Sequence, residues 1–410
     1  MESMSDKLRS LGVRVGVSNN SPHQEQKKAT NHPKIKDLVN GEIISNLFGE
    51  SLTCGKDYQF PYFHGKADLA KHVSLDVLCQ VSGNTSVKNL EMGEILFLDT
   101  ETSGLGGGTG TFAFMIGLGY FERSAFRVEQ LFIHNPAEEA SMLTELIRIV
   151  SGFKAVLTYN GKTFDIPLLN NRYILNGLST PFSDLIHIDL LQITRKIWSN
   201  RFSSRSLGNL ENQLLGFFRS GEEVPGWLVP QLYFDYLLNQ DPRPLLGVFY
   251  HNQIDILSLA GLTALACQVI NNPNANEIHN LDRLGVAKVY QSLGLKGQAL
   301  DIYDNCLQKD LPKEHQLQAA MTAAAIYKRD KNWDNAIALW EEAAGLMSLD
   351  ACIELAKYFE HTSKDIEMAI SWTRKAIVIL EEDKSYFYKQ IRMEEYQKRL
   401  NRLIKKSKVD

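Results

Sequence analysis

The feature that most constrains this chain is the stretch Glu94 to Thr111, EILFLDTETSGLGGGTGT. It opens with four apolar residues, Ile95-Leu96-Phe97-Leu98, and runs into Asp99-Thr100-Glu101. A short apolar run bounded by turn residues predicts a buried strand rather than a helix. Side chains alternate along a strand, so Asp99 and Glu101 share one side. Neighbouring carboxylates repel unless a positive charge lies between them, and hard oxygen ligands suit Mg²⁺ or Mn²⁺. The glycines that follow, Gly104, Gly106, Gly107, Gly108 and Gly110, let the backbone bend close to a ligand. Taken alone, the acidic pair has a plainer alternative, a strand that ends in a solvated turn.

A chain of 410 residues is too long for one core, so two or three domains are expected. The formal charge of −4 excludes a globally basic nucleic-acid coat but allows a local basic groove. Cys54, Cys79, Cys267, Cys306 and Cys352 are scattered, with no metal-ligand spacing. They read as reduced thiols of a cytoplasmic protein. The N-terminus lacks the apolar core of a signal peptide, no run reads as long enough to cross a bilayer, and no membrane partner is expected.

Residues 1–35 are polar and predict a mobile tail. Residues 36–90 read as a lead-in packed on the next domain. It carries apolar clusters at Ile43-Ile44 and Leu47-Phe48 and an aromatic stretch from Tyr58 to Phe63. The domain at 91–272 begins with three strands in an antiparallel meander, the second at Phe112 to Phe121 and the third at Phe126 to Ile133. Asn135-Pro136-Ala137-Glu138 is a helix start, with Asn as cap, Pro at the first helical position and Glu in capping-box position. That helix should run to about Val150. A strand at Ala155 to Tyr159, a helix from Phe164 to Leu175 and a strand at Leu185 to Leu190 follow. The pattern predicts an α/β domain, a mixed sheet with helices on its faces.

Two more acids fit the first pair. Asp165 lies just past a strand end and at a helix start, where open sheets gather ligands; its plainer role is an acid at a helix N-terminus. Asp255 lies in a run of helical spacing, with His251 four residues earlier on the same face. Alone, His251 reads as a surface or partly buried histidine. Thr102 and Asn160 are candidate substrate contacts, and Asn160 serves equally as a turn former. Asp189 in HIDLL is either a support for the site or a strand-end acid with a structural hydrogen bond. Arg195, Lys196, Arg201 and Arg205, with Trp198 and Phe202 among them, combine charge for phosphates with rings for bases. The alternative is a solvated helix face.

Together, FLDTETSGLGGGTGTFAFMIG, YNGKTFDIPLLNNRY, SLGNLE and PRPLLGVFYHNQIDILSL resemble the DEDD superfamily of 3′→5′ exonucleases, with a ribonuclease-H-like fold, and within it the YprB-type branch. The resemblance covers about residues 45 to 265. It implies that Asp99, Glu101, Asp165 and Asp255 hold two Mg²⁺ or Mn²⁺ ions. One superfamily class has a tyrosine with three intervening residues before the last Asp, the other a histidine with four. Here His251 stands at the tyrosine's spacing and Tyr250 at the histidine's. His251 is favoured as the base because one helical turn puts it on the face of Asp255. Two ions about 3.5–4 Å apart clamp both the attacking and the leaving oxygen of a phosphodiester. A neutral histidine with a reference pKa of about 6.5 suits the water's proton. The implied activity is 3′→5′ exonucleolysis at single-stranded DNA or RNA ends. The alternatives are an endonuclease acting on structured or hybrid substrates and a non-catalytic nucleic-acid-binding scaffold.

Past Asn271-Asn272-Pro273-Asn274 the composition turns to alanine-rich helix. Tyr290…Ala299…Tyr303, Tyr327…Ala336…Trp340 and Tyr358…Ala369…Trp372 repeat at 37 and then 31 residues, near the tetratricopeptide period of 34. Residues 278–400 therefore resemble degenerate tetratricopeptide repeats, an all-α domain; the alternative is an unrelated helical bundle. The third unit carries extra residues around Lys364-Asp365. Glu341, Glu342, Asp350 and Glu354 favour a protein partner over nucleic acid. A chain ending near Asn274 should then keep cleavage, unless the helix after Asp255 packs on the first repeat.

Overall fold

The computed structural model of the protein describes residues 32–71, 73–84, 90–104, 110–221, 223–382 and 389–408. The expected tail as far as residue 31 and the glycine run at 105–109 lie outside them. Ile35 is not tail: it is buried in a core cluster and begins the helix α1 (Ile35–Leu38).

After α1 come the hairpin β1 (Glu42–Asn46) and β2 (Gly49–Gln59), a small ladder of β3 (Phe63–His64) and β4 (Ala67–Asp68), and α2 (Asp76–Val81). The meander is β5 (Ile95–Thr102), β6 (Ala113–Phe121) and β7 (Ala125–Phe132). Then follow α3 (Glu139–Val150), β8 (Ala155–Thr158), α4 (Asp165–Leu175), β9 (Ile186–Asp189) and α5 (Leu190–Trp198). A short α6 (Leu207–Leu210) and a π-helical turn over Glu211–Leu215 lead to α7 (Val229–Asn239) and the long α8 (Leu246–Asn271). The chain continues as α9 (Asn280–Ser292), α10 (Lys296–Leu307), α11 (Lys313–Arg329), α12 (Trp333–Gly345), α13 (Leu349–Tyr358), α14 (Ile366–Glu382) and α15 (Lys389–Lys406).

The main sheet has seven strands in the order β1-β2-β7-β6-β5-β8-β9. Its β1 to β5 side is antiparallel; β8 pairs in parallel with β5, and β9 in parallel with β8. The architecture is the expected mixed α/β sheet flanked by helices. At the start of α3 the Asn135 side chain caps as the sequence predicts, accepting from Ala137 N–H at 3.0 Å, but Glu138 accepts from His134 N–H at 2.7 Å rather than closing a capping box, and one 3-10 turn precedes the helix.

The lead-in does more than pack on the domain. Its β1–β2 hairpin extends the sheet beyond β7. The apolar clusters that stand out in the sequence are at its exposed edge and tip, where Ile43, Leu47 and Phe48 face solvent. The residues that anchor β2 are Ser51, Leu52, Cys54 and Tyr58. That mixed polar set shows no apolar alternation, so the strand is invisible to periodicity.

The helix α8 lies across the sheet because β6 carries glycine where the two meet. A Cβ on Gly117 would stand 2.2 Å from Asn252 Oδ1, and one on Gly119 2.4 Å from Ile256 Cγ2. Helix and sheet thus approach closer than any side chain permits. The sequence reading of no membrane-length run needs correction here. Arg243–Asn271 is long and apolar enough by length and composition, with mean hydropathy 1.6, yet 78% of its most apolar window is buried inside the protein. A helix that is apolar all round requires a partner on every side; here the sheet, α2, α5 and α9 supply it.

The first of the C-terminal helices share the core of the sheet domain, while the later ones, from α11 to α15, pack around clusters of their own at Trp340 and at Ile370. One apolar cluster runs from Phe97 and Ile188 through Ile197, Trp198 and Ile270 to Leu284, Tyr303 and Ala323. The helix α9 lies directly on α5: a Cβ on Gly285 would fall 2.0 Å from the Ile197 carbonyl oxygen. Arg201 bonds Asp282 at 2.7 Å across the same junction. The buried Arg283 ties down the connection, donating to Pro273 O at 2.8 Å, Ala275 O at 2.9 Å and Asn280 Oδ1 at 2.8 Å. Two outcomes follow. Gly285→Ala is expected to destabilise the whole chain by about 1–3 kcal/mol through overpacking, measured as a lower denaturant midpoint. A chain cut near Asn274 would expose Ile197, Trp198 and Ile270, and should aggregate on a sizing column rather than remain a free-standing nuclease domain.

Each of the helices α9 to α15 packs on the next in the chain. Tyr290, Tyr327 and Tyr358 occupy the ends of α9, α11 and α13, while Ala299, Ala336 and Ala369 are fully buried in α10, α12 and α14. The extra residues of the third unit form a π-helical turn, Phe359–Ser363, closed by Lys364 with φ of 65°.

Candidate active site

The end of β5 sits mid-sheet, where its apolar half is buried on both faces and its acidic half meets α4 and α8. Asp99 pairs in register with Gly117, whose missing side chain admits Asn252 of α8. Asn252 Nδ2 donates to Asp99 Oδ2 at 3.0 Å, and its Oδ1 accepts from Gln130 Nε2 at 2.9 Å. Glu101 is buried beyond Asp99, and the ladder shifts register after it, between Glu101 and Thr102. The Thr102 hydroxyl donates to Gly104 O at 2.8 Å.

Asp165 is the first residue of α4, and the Thr100 hydroxyl donates to its Oδ1 at 2.5 Å. The loop before it is shaped by Asn160 in the left-handed region, φ 68°. Asp189 clamps that loop: it accepts from Asn160 N–H at 2.9 Å and Lys162 N–H at 3.2 Å, and caps α5 through Leu191 N–H at 3.1 Å. Asp189 therefore has the structural role that a strand-end acid suggests, and through the loop it sets where Asp165 stands.

Burial raises the proton affinity of Asp99 well above the usual carboxylate range, and the charges of Asp255, Asp165 and Glu101 add to it. Burial followed by Asp255 and Asp165 does the same to Glu101, opposed by Arg219. Burial also raises Asp165, against the hydrogen bond from Thr100. Buried carboxylates that repel one another define an oxygen-only donor set short of positive charge, which fits a hard divalent ion. Among the described residues no three His, Cys, Asp or Glu side chains converge on one coordination point.

On α8, His251 Nε2 stands 3.4 Å from Asp255 Oδ2. Tyr250 is turned away, its hydroxyl accepting from Ser220 N–H at 3.2 Å. Arg219, from the segment after the π turn, reaches into this side of the site. It donates from Nε and Nη2 to Glu211 at 2.9 Å each, from Nη1 to Glu223 at 2.7 Å, and from Nη2 to Asp255. These groups line a cleft of about 480 Å³ that also holds Phe217 and Phe218. The Phe218 ring is 72% exposed at its mouth.

A buried polar chain continues behind the cleft. Glu211 accepts from the Ser258 hydroxyl, and His64 Nε2 donates to Ser258 at 2.7 Å. Burial and then the Arg219 charge lower the His64 pKa from 6.5 to about 4. A histidine depressed in the folded state contributes stability that is complete above its unfolded pKa and is lost as pH falls toward its folded one. Between about pH 7 and pH 4 the protein should lose roughly 3 kcal/mol more unfolding free energy than His64→Gln, measured by urea unfolding at each pH. Parallel curves for the two proteins would contradict it.

The basic segment does not join this site. Trp198 is fully buried and Phe202 is packed against the core, so neither ring is free to stack on a base. Arg201 is committed to Asp282 and lies over the Phe202 ring at 4.8 Å. Arg205 donates to the carbonyls of Phe202 and Ser203. Arg201 thus pins α9 to the segment after α5, and Arg205 braces its own loop; neither is among the residues that line the cleft at Asp255. Sequence reasoning missed Arg219, Glu211 and Asn252. Glu211 lies in the SLGNLE segment and Asn252 three residues before Asp255, so both had a weak signal; Arg219 had none.

Residues 96–267 match the model of the RNase H superfamily, and the mixed sheet flanked by helices has an RNase H-like fold. Over 390 residues the chain is 27% identical to the uncharacterized protein YprB of Bacillus subtilis (strain 168), covering 92% of this chain and 93% of that one. Among solved structures, the family B DNA polymerase from the hyperthermophilic archaeon Pyrobaculum calidifontis aligns at 14% identity with a TM-score of 0.33. The match covers 56% of this chain and spans only 29% of the polymerase's length.

Proposed function

We propose that the protein is a metal-dependent nuclease, a 3′→5′ exonuclease of single-stranded DNA or RNA ends, in a cytoplasmic setting that suits its five buried, unpaired cysteines. The observation that carries the reading is that buried Asp99 and Glu101 from β5 lie within electrostatic reach of Asp165 from α4 and of Asp255 from α8, beside which His251 stands. Two Mg²⁺ or Mn²⁺ ions held by the four carboxylates would activate the attacking water and steady the leaving oxygen. Asn252 and Thr100 orient Asp99 and Asp165 for that task. His251 takes the water's proton, and Phe218 offers a ring to a terminal base. Thr102 and Asn160 stand at the strand end and turn where the sugar-phosphate would pass.

The repeats are read as a protein-binding module. Their support is a cavity of about 600 Å³ lined by Trp340, Lys328, Lys357, Lys398, Arg399 and Arg402, among others. Asp350, Glu354 and Glu395 line it as well, and Lys328 and Lys357 pair with Glu354 and Arg399 and Arg402 with Glu360, so the face is of mixed charge and suits a partner segment that carries both signs. The deciding experiment is full-length protein with Mn²⁺ or Mg²⁺ on 5′- and 3′-labelled single- and double-stranded DNA and RNA. Stepwise shortening from the 3′ end is expected. Internal cuts would instead make it an endonuclease, and tight binding without cleavage a scaffold.

A further inference from the structure

We propose that Arg219 is a positioning residue that holds Asp255 in place of a second divalent ion, so that the site takes its first ion readily and its second only when Arg219 withdraws. The proposal rests on the metal-nuclease reading above and concerns how the site fills. It stands on the contacts of one side chain, 10% exposed, which is the cation set among the acids of the cleft.

The guanidinium is held on two sides. Nε and Nη2 form a two-pronged pair with Glu211, itself almost wholly buried and fixed by Ser258. Nη1 bonds Glu223 at 2.7 Å. From that anchored position Nη2 also reaches Asp255 Oδ1. A planar fork matched to a carboxylate is a directional contact that a point charge does not reproduce. Asp255 is thereby neutralised by a direct pair within the protein, whereas Asp99 and Asp165 take side-chain hydrogen bonds from the neutral Asn252 and Thr100, and the Arg219 charge acts on Glu101 against its burial. A first cation finds three acids to compensate. A second must share Asp255 with a fixed positive charge that repels it.

The same side chain acts on His251. Arg219 Nη1 lies 3.3 Å from His251 Nδ1. An arginine N–H can only donate, so Nδ1 accepts and Nε2 carries the proton that faces Asp255. Glu223 is also 3.3 Å from Nδ1 but takes its hydrogen bond from Arg219 at the shorter distance. While Arg219 stays, its N–H occupies Nδ1 of His251. Withdrawal toward Glu211 and Glu223 would release Asp255 Oδ1 and His251 Nδ1 together, coupling the second ion to an available base.

The test needs no substrate. Free Mn²⁺ is followed by electron paramagnetic resonance as it is titrated into the full-length protein, Arg219→Gln, Arg219→Lys and the double variant Arg219→Gln/Glu211→Gln, each first shown folded by a metal-free melt. The double variant guards against a buried, unpaired Glu211 in the single one. It also leaves the net charge of the cluster unchanged, so a gain in binding reports release of Asp255 rather than bulk charge. The expected result is two classes of Mn²⁺ in the unaltered protein, the second at least tenfold weaker. In the double variant the second class should tighten at least tenfold, and in Arg219→Lys by much less. Two equal sites in the unaltered protein, or a second site no tighter in the double variant, would overturn the proposal while leaving the nuclease reading standing. No Mn²⁺ bound by any of the four would overturn the metal-dependent reading itself.

Discussion

Asp99→Ala and Asp255→Ala should each reduce cleavage by more than about 10³-fold, beyond what the loss of a single electrostatic stabiliser usually costs, and chelation with EDTA should do the same. The two substitutions remove charge rather than core. Asp99 is buried against Asp255, Asp165 and Glu101, so its loss relieves repulsion in the metal-free protein. The metal-free melting temperature of Asp99→Ala is therefore expected at or above that of the unaltered chain. What it should lose is the rise in melting temperature that Mn²⁺ produces by binding only the folded state. Asp255→Ala leaves Arg219 still paired with Glu211 and Glu223, so its fold should also persist. Cleavage surviving both substitutions in contaminant-free protein would remove these residues from the active site. A metal-free melt lowered sharply by Asp99→Ala would mean that the carboxylate stabilises the fold rather than serving a cation.

His251→Ala should slow single-turnover cleavage at saturating Mn²⁺ by about 10²–10⁴-fold, the range of a positioned general base. Tyr250→Phe should change it little. The geometry separates the two neighbours: His251 stands beside Asp255, while the Tyr250 hydroxyl serves a backbone N–H of the segment that carries Arg219. Tyr250→Phe removes the acceptor for Ser220 N–H and leaves His251 and Asp255 in place. Were Tyr250→Phe the crippling change and His251→Ala the mild one, the base would belong to the other position and the helical-face argument would fail.

What the sequence determined by itself were the local elements and the faces they present. The apolar run Ile95 to Leu98 specified a buried strand, and strand alternation put Asp99 and Glu101 on one side of it. Helical spacing put His251 and Asp255 together, and Asn135-Pro136 marked the start of α3. These are legible because strand and helix impose fixed periods on side-chain direction. Tertiary structure decided which faces meet. Gly117 and Gly119 are silent in the sequence, yet they let α8 reach the sheet and bring Asn252 to Asp99, 153 residues away. Arg219 and Glu211 belong to no periodic pattern, and their meaning arises only where the chain folds back onto Asp255. Arg201 looked like a phosphate ligand by composition and became a brace to Asp282, because only the packed chain says which acid a base will find. The core shared by α5, α8 and α9 likewise follows from Gly285 lying on Ile197. Periodicity records which side of an element avoids water; it carries nothing about the partner that covers that side, and a buried polar network has no period at all.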